Sequence, residues 1–222
     1  MDQVAVLASG GLDSSIMLAE LKQTREVFPI YIRNGLAWES AELRALESFI
    51  SALESPSINT PTIISTATHE LYGNHWSVTG LEVPVAGTPD SAVFLPGRNI
   101  LLIGLVAIWC TTHDIPQIAI GSLDGNPFPD ATPIFFKEYG RLLSTALRHK
   151  VEILTPYRFK SKAQLISKCS HLPLNLTMTC ISPYQDNHCG QCSKCHERQQ
   201  AFTVANVVDP TTYIVTERGA SG

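Results

Sequence analysis

Residues 4–21 read VAVLASGGLDSSIMLAEL: a short apolar run, a corner of glycine and serine carrying one acid, and a second apolar run with helical spacing. The first run suits a buried strand and the second a buried helix, so the corner is a strand-to-helix turn. The same alternation continues along the chain. Strand-like runs recur at QVAVLA, VFPIYI, TPTIIST, PQIAIG and VEILTP. Helical candidates lie between or after them at Asp13–Lys22, Trp38–Leu53, Arg98–His113, Pro133–Leu147 and Lys160–Ser170. Strands separated by helices predict a parallel sheet wound on both faces, an α/β fold. In the second helix Leu43, Leu46, Phe49, Ile50 and Leu53 mark the core face, which leaves Glu39, Glu42, Arg44 and Glu47 to water.

Composition agrees with a packed protein. The 222 residues are 44% hydrophobic and 16% charged, enough to bury a core without staples. The net charge of −4 provides no overall basic field for nucleic acid, and a local basic stretch (Arg141, Arg148, Lys150, Arg158, Lys160, Lys162, Lys168) reads as a solvated face. The most apolar run, Ile100–Cys110, is short of the about 20 residues of a spanning helix and is expected to be a buried helix. No secretory pattern opens the chain, so a cytoplasmic location and no membrane partner are expected.

In a doubly wound sheet ligands sit beyond the carboxyl ends of the strands, which is where SGGLDS falls. Gly10 and Gly11 let backbone approach an anion, Ser9, Ser14 and Ser15 add hydroxyl donors, and the helix start adds N–H groups. The loop has no lysine and no GxGxxG spacing, which excludes a Walker loop and a Rossmann fingerprint. Residues 73–97, rich in glycine and proline, are expected to form a lid.

Near the end, Cys180, Cys189, Cys192 and Cys195 follow C-x8-C-x2-C-x2-C. Four thiolates so close together point to structural Zn2+, with an iron–sulfur cluster as the rival. His188 and His196 flank these cysteines, while Cys110 and Cys169 read as buried, inert thiols. A helix is expected at Cys195–Val207. The division expected is an α/β unit over 1–170 and a cysteine-bearing helical segment over 171–222.

The pattern SGGxDS after a first strand resembles the pyrophosphate loop of the ATP pyrophosphatase superfamily. Together with FLPGRNILLIGLVA from Phe94, IGSLDGNPFPD from Ile120, TPYRFKSKAQLI from Thr155 and the cysteine segment, it resembles the 7-cyano-7-deazaguanine synthase family. That resemblance implies ATP held by Leu7, Ala8, Ser9, Gly10, Gly11, Leu12, Asp13, Ser14 and Ser15, with Asp13 on Mg2+. It implies catalytic roles for Asp13, Arg98 and Lys162, and contacts from Arg98, Asp124 and Asp130 to a deazaguanine carboxylate that reacts with ammonia. The chain departs from the family's pattern at Gly35–Trp38, at Gly125–Pro127, and at Ala131 and Thr132, where a cysteine and an arginine are usual. Alternatives are an adenylating enzyme that stops at an amide or passes the acyl group to another amine, including one on a protein, and a tRNA-binding module. A homodimer is left open.

Overall fold

A computed structural model describes residues 1–214. Five parallel strands, β1 (Asp2–Leu7), β2 (Arg25–Arg33), β3 (Thr62–Ser65), β4 (Gln117–Ala119) and β5 (Glu152–Leu154), form one sheet in the order β3-β2-β1-β4-β5. β1 is central, pairing Asp2–Leu7 with Arg25–Ile30 of β2 on one side and Ala5 and Val6 with Ile118 and Ala119 of β4 on the other. The strand order reverses at β1, so its carboxyl end opens onto a crevice between two outgoing chains.

Alternating side chains divide the core in two. Val4 and Val6 face one layer, with Leu12, Ile16 and Met17 of helix α1 (Leu12–Leu21) and Leu43 and Leu46 of α2 (Glu39–Leu53). Ala5 faces the other, with Val106, Ala107 and Cys110 of α3 (Arg98–Thr112) and Leu143 of α4 (Pro133–Leu147). Leu165 and Ile166 of α5 (Lys162–Cys169) and Ala201 and Phe202 of α6 (Ser193–Ala205) complete the first layer. The segment 171–222, expected to pack on the α/β unit, contributes Leu174, Ala201 and Phe202 to this layer; its last eight residues lie outside those described.

Three expectations need correction. The stretch Asp90–Thr112 is long and apolar enough to cross a membrane by length and composition, but it is broken at Phe94–Gly97. Its long part, α3, buries only one face: Ile103 and Val106 are inside, while Ile100 and Ile108 are about half exposed (47% and 54%). Glu39 does not face water; it is buried, and its carboxylate accepts the backbone N–H of Asn34 and, at 2.8 Å, of Gly35. It pins the turn after β2, a use of a carboxylate that helical periodicity does not show. Helix α6 begins two residues before its expected start, because the Cys192 sulfur accepts the Cys195 N–H at 3.4 Å and caps it.

The corner itself turns on Gly10. It has φ +73°, and a Cβ there would lie 2.3 Å from the Glu42 carbonyl oxygen and 3.0 Å from the Leu46 nitrogen. Only a bare α-carbon lets α2 lie against the loop. Gly10→Ala is therefore expected to destabilise the protein by about 3 kcal/mol or more, measured by urea unfolding, because it combines strained backbone with overpacking.

Candidate active site

Two cavities open at the carboxyl end of the sheet. The first, about 320 Å3, runs from the glycine corner to the ends of β1 and β2 and is walled by Ser9, Gly11, Ser14, Ile32, Asn34 and Trp38 among others. The second, about 470 Å3, lies between Asp90–Leu95 and the segment Leu123–Asp130. Asp13, Arg98, Asn99, Lys162 and Lys194 line both. The two spaces therefore meet at one group of charged side chains.

The corner is held in shape by its own hydroxyls. Ser14 Oγ accepts the Ser9 N–H at 3.2 Å and donates to the Gly11 carbonyl at 3.2 Å, while Ser9 Oγ accepts the Gly11 N–H at 3.3 Å. Met178 N–H donates to the Gly10 carbonyl at 2.8 Å, which ties the segment before Cys180 to the loop. Leu7, Ala8, Ser9, Gly11, Leu12, Asp13 and Ser14 reach the first cavity. Gly10 and Ser15 do not line it: Gly10 serves the contact with α2, and Ser15 is fully buried.

Asp13 and Lys162 face each other, Nζ to Oδ2 at 3.6 Å. Lys162 also contacts Glu197, and Glu197 Oε2 accepts from Lys194 Nζ at 2.7 Å. Burial acts against the Lys162 ammonium, but Asp13 and Glu197 together raise its pKa. Burial raises that of Asp13, whose second oxygen, Oδ1, has no partner among the described residues. Asp13 lines both cavities, and an unpartnered carboxylate oxygen suits a cation.

Arg98 opens α3 at the junction, and its buried Nε has no partner among the described residues. Asp124 is exposed on the wall of the second cavity. Asp130 is buried there, and its Oδ2 accepts the Asn99 N–H at 2.9 Å while its carbonyl takes the Asn99 side-chain amide at 3.0 Å. Asp130 thereby fixes the start of α3 and the place of Arg98. Phe94 and Phe128 stack with ring centres 5.0 Å apart on the same cavity's wall. The segment 73–97 carries short helices at Trp76–Thr79 and Asp90–Val93 and supplies Asp90, Val93, Phe94 and Leu95 to this wall.

Glu42, expected on a water-facing surface, lines the first cavity instead. It accepts the Trp38 indole N–H at 3.0 Å and the Tyr31 hydroxyl at 3.1 Å, and burial pushes its pKa up to about 7 although Arg98 nearby lowers it. Glu197 and Lys194, also absent from the sequence expectations, come to the junction on α6. The sequence held one signal for them: they share a helix with Cys195.

The four cysteines are buried and bring their sulfurs within 4.8 Å of one another, so they could hold a metal ion. His188 stands outside this set, its Nε2 taking the Thr179 N–H at 3.2 Å, and burial pushes its pKa down to about 3. Cys110 and Cys169 are buried apart from them, and burial drives the Cys110 thiol up to about 12.

Comparison with known proteins shows the family and the fold. The family model described as Queuosine biosynthesis protein QueC matches residues 3–206. The chain is similar to the 7-cyano-7-deazaguanine synthases of Methanocaldococcus jannaschii (27% identical; 96% of this chain and 100% of that one) and Stutzerimonas stutzeri (29%; 95% and 98%). Its fold is similar to the crystal structure of a predicted subunit of tRNA methyltransferase from M. jannaschii, with TM-score 0.50 and 15% identity over 77% of this chain and 75% of that one.

A carboxyl with a folded pKa above its unfolded value binds more protons when folded, so Glu42 costs stability as pH rises from about 4.5 to about 7. Ligand-free Glu42→Gln is expected to match the native chain near pH 4.5 and to exceed it by about 1–3 kcal/mol at pH 8, read by urea unfolding.

Proposed function

The chain belongs to the queuosine biosynthesis protein QueC family, and on that premise we propose that it makes 7-cyano-7-deazaguanine from 7-carboxy-7-deazaguanine, ammonia and ATP. The observation that carries this reading is the meeting of two cavities at Asp13, Arg98 and Lys162. A reaction that joins a nucleotide to a planar acid needs two such spaces with one shared wall.

ATP would occupy the first cavity, its phosphates on the turn Ser9–Ser14 and its base toward Ile32 and Asn34. Mg2+ would be held at Asp13, whose free Oδ1 fits that use, and would offset phosphate charge. The deazaguanine would lie in the second cavity beside Phe94 and Phe128, with Asp124 placed to accept from its N–H edge. Asp130 spends one oxygen on Asn99, so its further contact with substrate is through the other.

A carboxylate resists attack by ammonia because its carbon is electron-rich and its oxygen a poor leaving group. Attack of a carboxylate oxygen on the α-phosphorus breaks the bond to pyrophosphate and gives an acyl adenylate. Ammonia then bonds to the acyl carbon, AMP departs with that oxygen, and a proton is lost to give the amide. A second ATP takes the amide oxygen in the same way, with release of pyrophosphate, and loss of AMP and of both nitrogen-bound protons leaves the nitrile. Arg98 and Lys162 place fixed positive charge where the phosphates and carboxylate converge, which opposes their mutual repulsion before reaction and stabilises the charge that grows on pyrophosphate. Glu42, near neutrality in pKa, is suited to hold or release a proton at the edge of the first cavity.

The cysteine site is read as structural Zn2+. A tetrahedral ion with Zn–S bonds of about 2.3 Å spaces its sulfurs by about 3.8 Å, and the Cys180–Cys192 and Cys189–Cys195 sulfurs lie 3.8 and 3.9 Å apart. The donor set is all thiol, which favours zinc over a hard cation. The location proposed is the cytoplasm, and the reactants are small molecules.

Incubation with ATP, ammonia and 7-carboxy-7-deazaguanine is expected to yield AMP, pyrophosphate and the nitrile by mass spectrometry; AMP with amide and no nitrile would replace this reading by the amide-forming one. Asp13→Ala is expected to lower AMP release by about 100-fold or more. Cys192→Ala is expected to lose bound metal and several kcal/mol of stability, roughly the scale of a structural site, in metal analysis and thermal unfolding.

A further inference from the structure

The glycine–serine corner holds no cation of its own between Leu7 and Ser15. Its cavity takes positive charge from Arg98, Lys162 and Lys194. We propose that Lys194 is a phosphate-binding residue of the nucleotide site, brought there by the cysteine-capped helix α6; this rests on the reading of the first cavity as an ATP site.

The charges at the junction fix which lysine has positive charge to offer. Lys162 lies between Asp13 and Glu197, and Lys194 shares Glu197 with it, so two ammonium groups stand against two carboxylates. This quartet is neutral. For a lysine of this quartet to contact a polyphosphate directly, it must exchange a carboxylate for phosphate. Lys162 is enclosed, with 15% of its side chain exposed, and is contacted by both acids. Lys194 is 36% exposed and has one acidic partner. When Lys194 turns to phosphate, Glu197 remains paired with Lys162 and no buried charge is stranded. The reverse exchange would take from Asp13 and Glu197 the ammonium they share.

The start of Lys194's reach is fixed. Cys192 caps α6, and the Ser193 N–H donates to the Pro84 carbonyl at 2.8 Å, so the residue before Lys194 is held on both sides. From that anchored backbone a flexible four-carbon stem reaches both cavities. A lysine rather than an arginine suits a role in which the partner changes from carboxylate to phosphate. The cysteine knuckle therefore contributes a ligand to the nucleotide site as well as stability.

The test titrates the full, metal-bound chain with Mg2+–pyrophosphate, Mg2+–ATP and adenosine by calorimetry, comparing the native protein with Lys194→Gln and Lys194→Arg. Lys194→Gln is expected to weaken pyrophosphate and ATP by about ten-fold, the scale of one charge-assisted hydrogen bond. Adenosine binding, metal content and melting temperature stay as in the native chain, and Lys194→Arg keeps most of the phosphate affinity. Unchanged pyrophosphate binding in Lys194→Gln overturns the proposal, as does a loss that extends equally to adenosine. If the native chain binds ATP, Lys194→Gln weakens it, and no AMP forms from 7-carboxy-7-deazaguanine, the proposed reaction fails while this inference stands. If the native chain forms the nitrile and Lys194→Gln binds ATP as tightly, the inference fails and the reaction stands.

Discussion

The Lys162 ammonium joins three parts of the chain that are far apart in sequence. It opens α5, faces Asp13 in the first turn of α1, and contacts Glu197 on α6. A charge that enclosed is tolerated only while its partners are in place, because each ion without its opposite bears the full cost of leaving water. The loop, the helix after β5 and the helix of the cysteine cluster are therefore held in one mutual arrangement by electrostatics as well as by the apolar contacts beneath them. The junction of the two cavities sits on this ion group, so the geometry that suits chemistry and the geometry that satisfies the buried charges are the same.

A second constraint acts from the other side of the loop. Gly10 admits the α2 backbone so closely that Glu42 is carried onto the wall of the first cavity. There the Trp38 indole and the Tyr31 hydroxyl hold both carboxyl oxygens, and Trp38 is itself stacked on Trp76 at 5.6 Å between ring centres. The stretch Gly35–Trp38, where this chain departs from its family's pattern, thus contributes an aromatic wall and a hydrogen bond that orients an acid. The second cavity departs in parallel: Asn126 lines it, Asp130 caps α3, and Ala131 is buried against Ile103 and Phe136.

Much of this was legible from residues alone. Apolar β-rich runs marked all five strands: the central strand β1 is buried along Val4–Val6 and leaves a continuous apolar signature, while the edge strand β3 was marked by its Thr–Ile–Ile run although Ile63 is exposed. The corner and the four cysteines could be read because each depends on residues close in sequence. What stayed hidden depends on distant partners. Helical spacing puts Glu39 and Glu42 on the same side as Leu43, Leu46 and Phe49, but their charge argued for water, and only the turn after β2 and the side chains of Tyr31 and Trp38 give them partners there. Glu197 and Lys194 stand three residues apart on α6, and nothing in that spacing shows that Lys162 is brought beside them. Arg198, fully buried, donates to Thr177 Oγ1 at 2.9 Å, the Leu174 carbonyl at 2.8 Å and Thr211 Oγ1 at 2.7 Å, and no local pattern announced it.

The strand order has a bearing on how the protein is made. β1 lies at the centre of the sheet and pairs Ala5 with Ile118 and Val6 with Ala119 of β4, which is made well after it. Until β4 leaves the ribosome, one edge of β1 has no strand to pair with, and contacts so distant in sequence form slowly. The nascent chain therefore presents an unsatisfied apolar edge over the interval between the two strands, in which aggregation competes with folding and chaperones are of most use. The glycine corner is translated before Met178 and α6 and, because it needs both to close over it, is finished only after them.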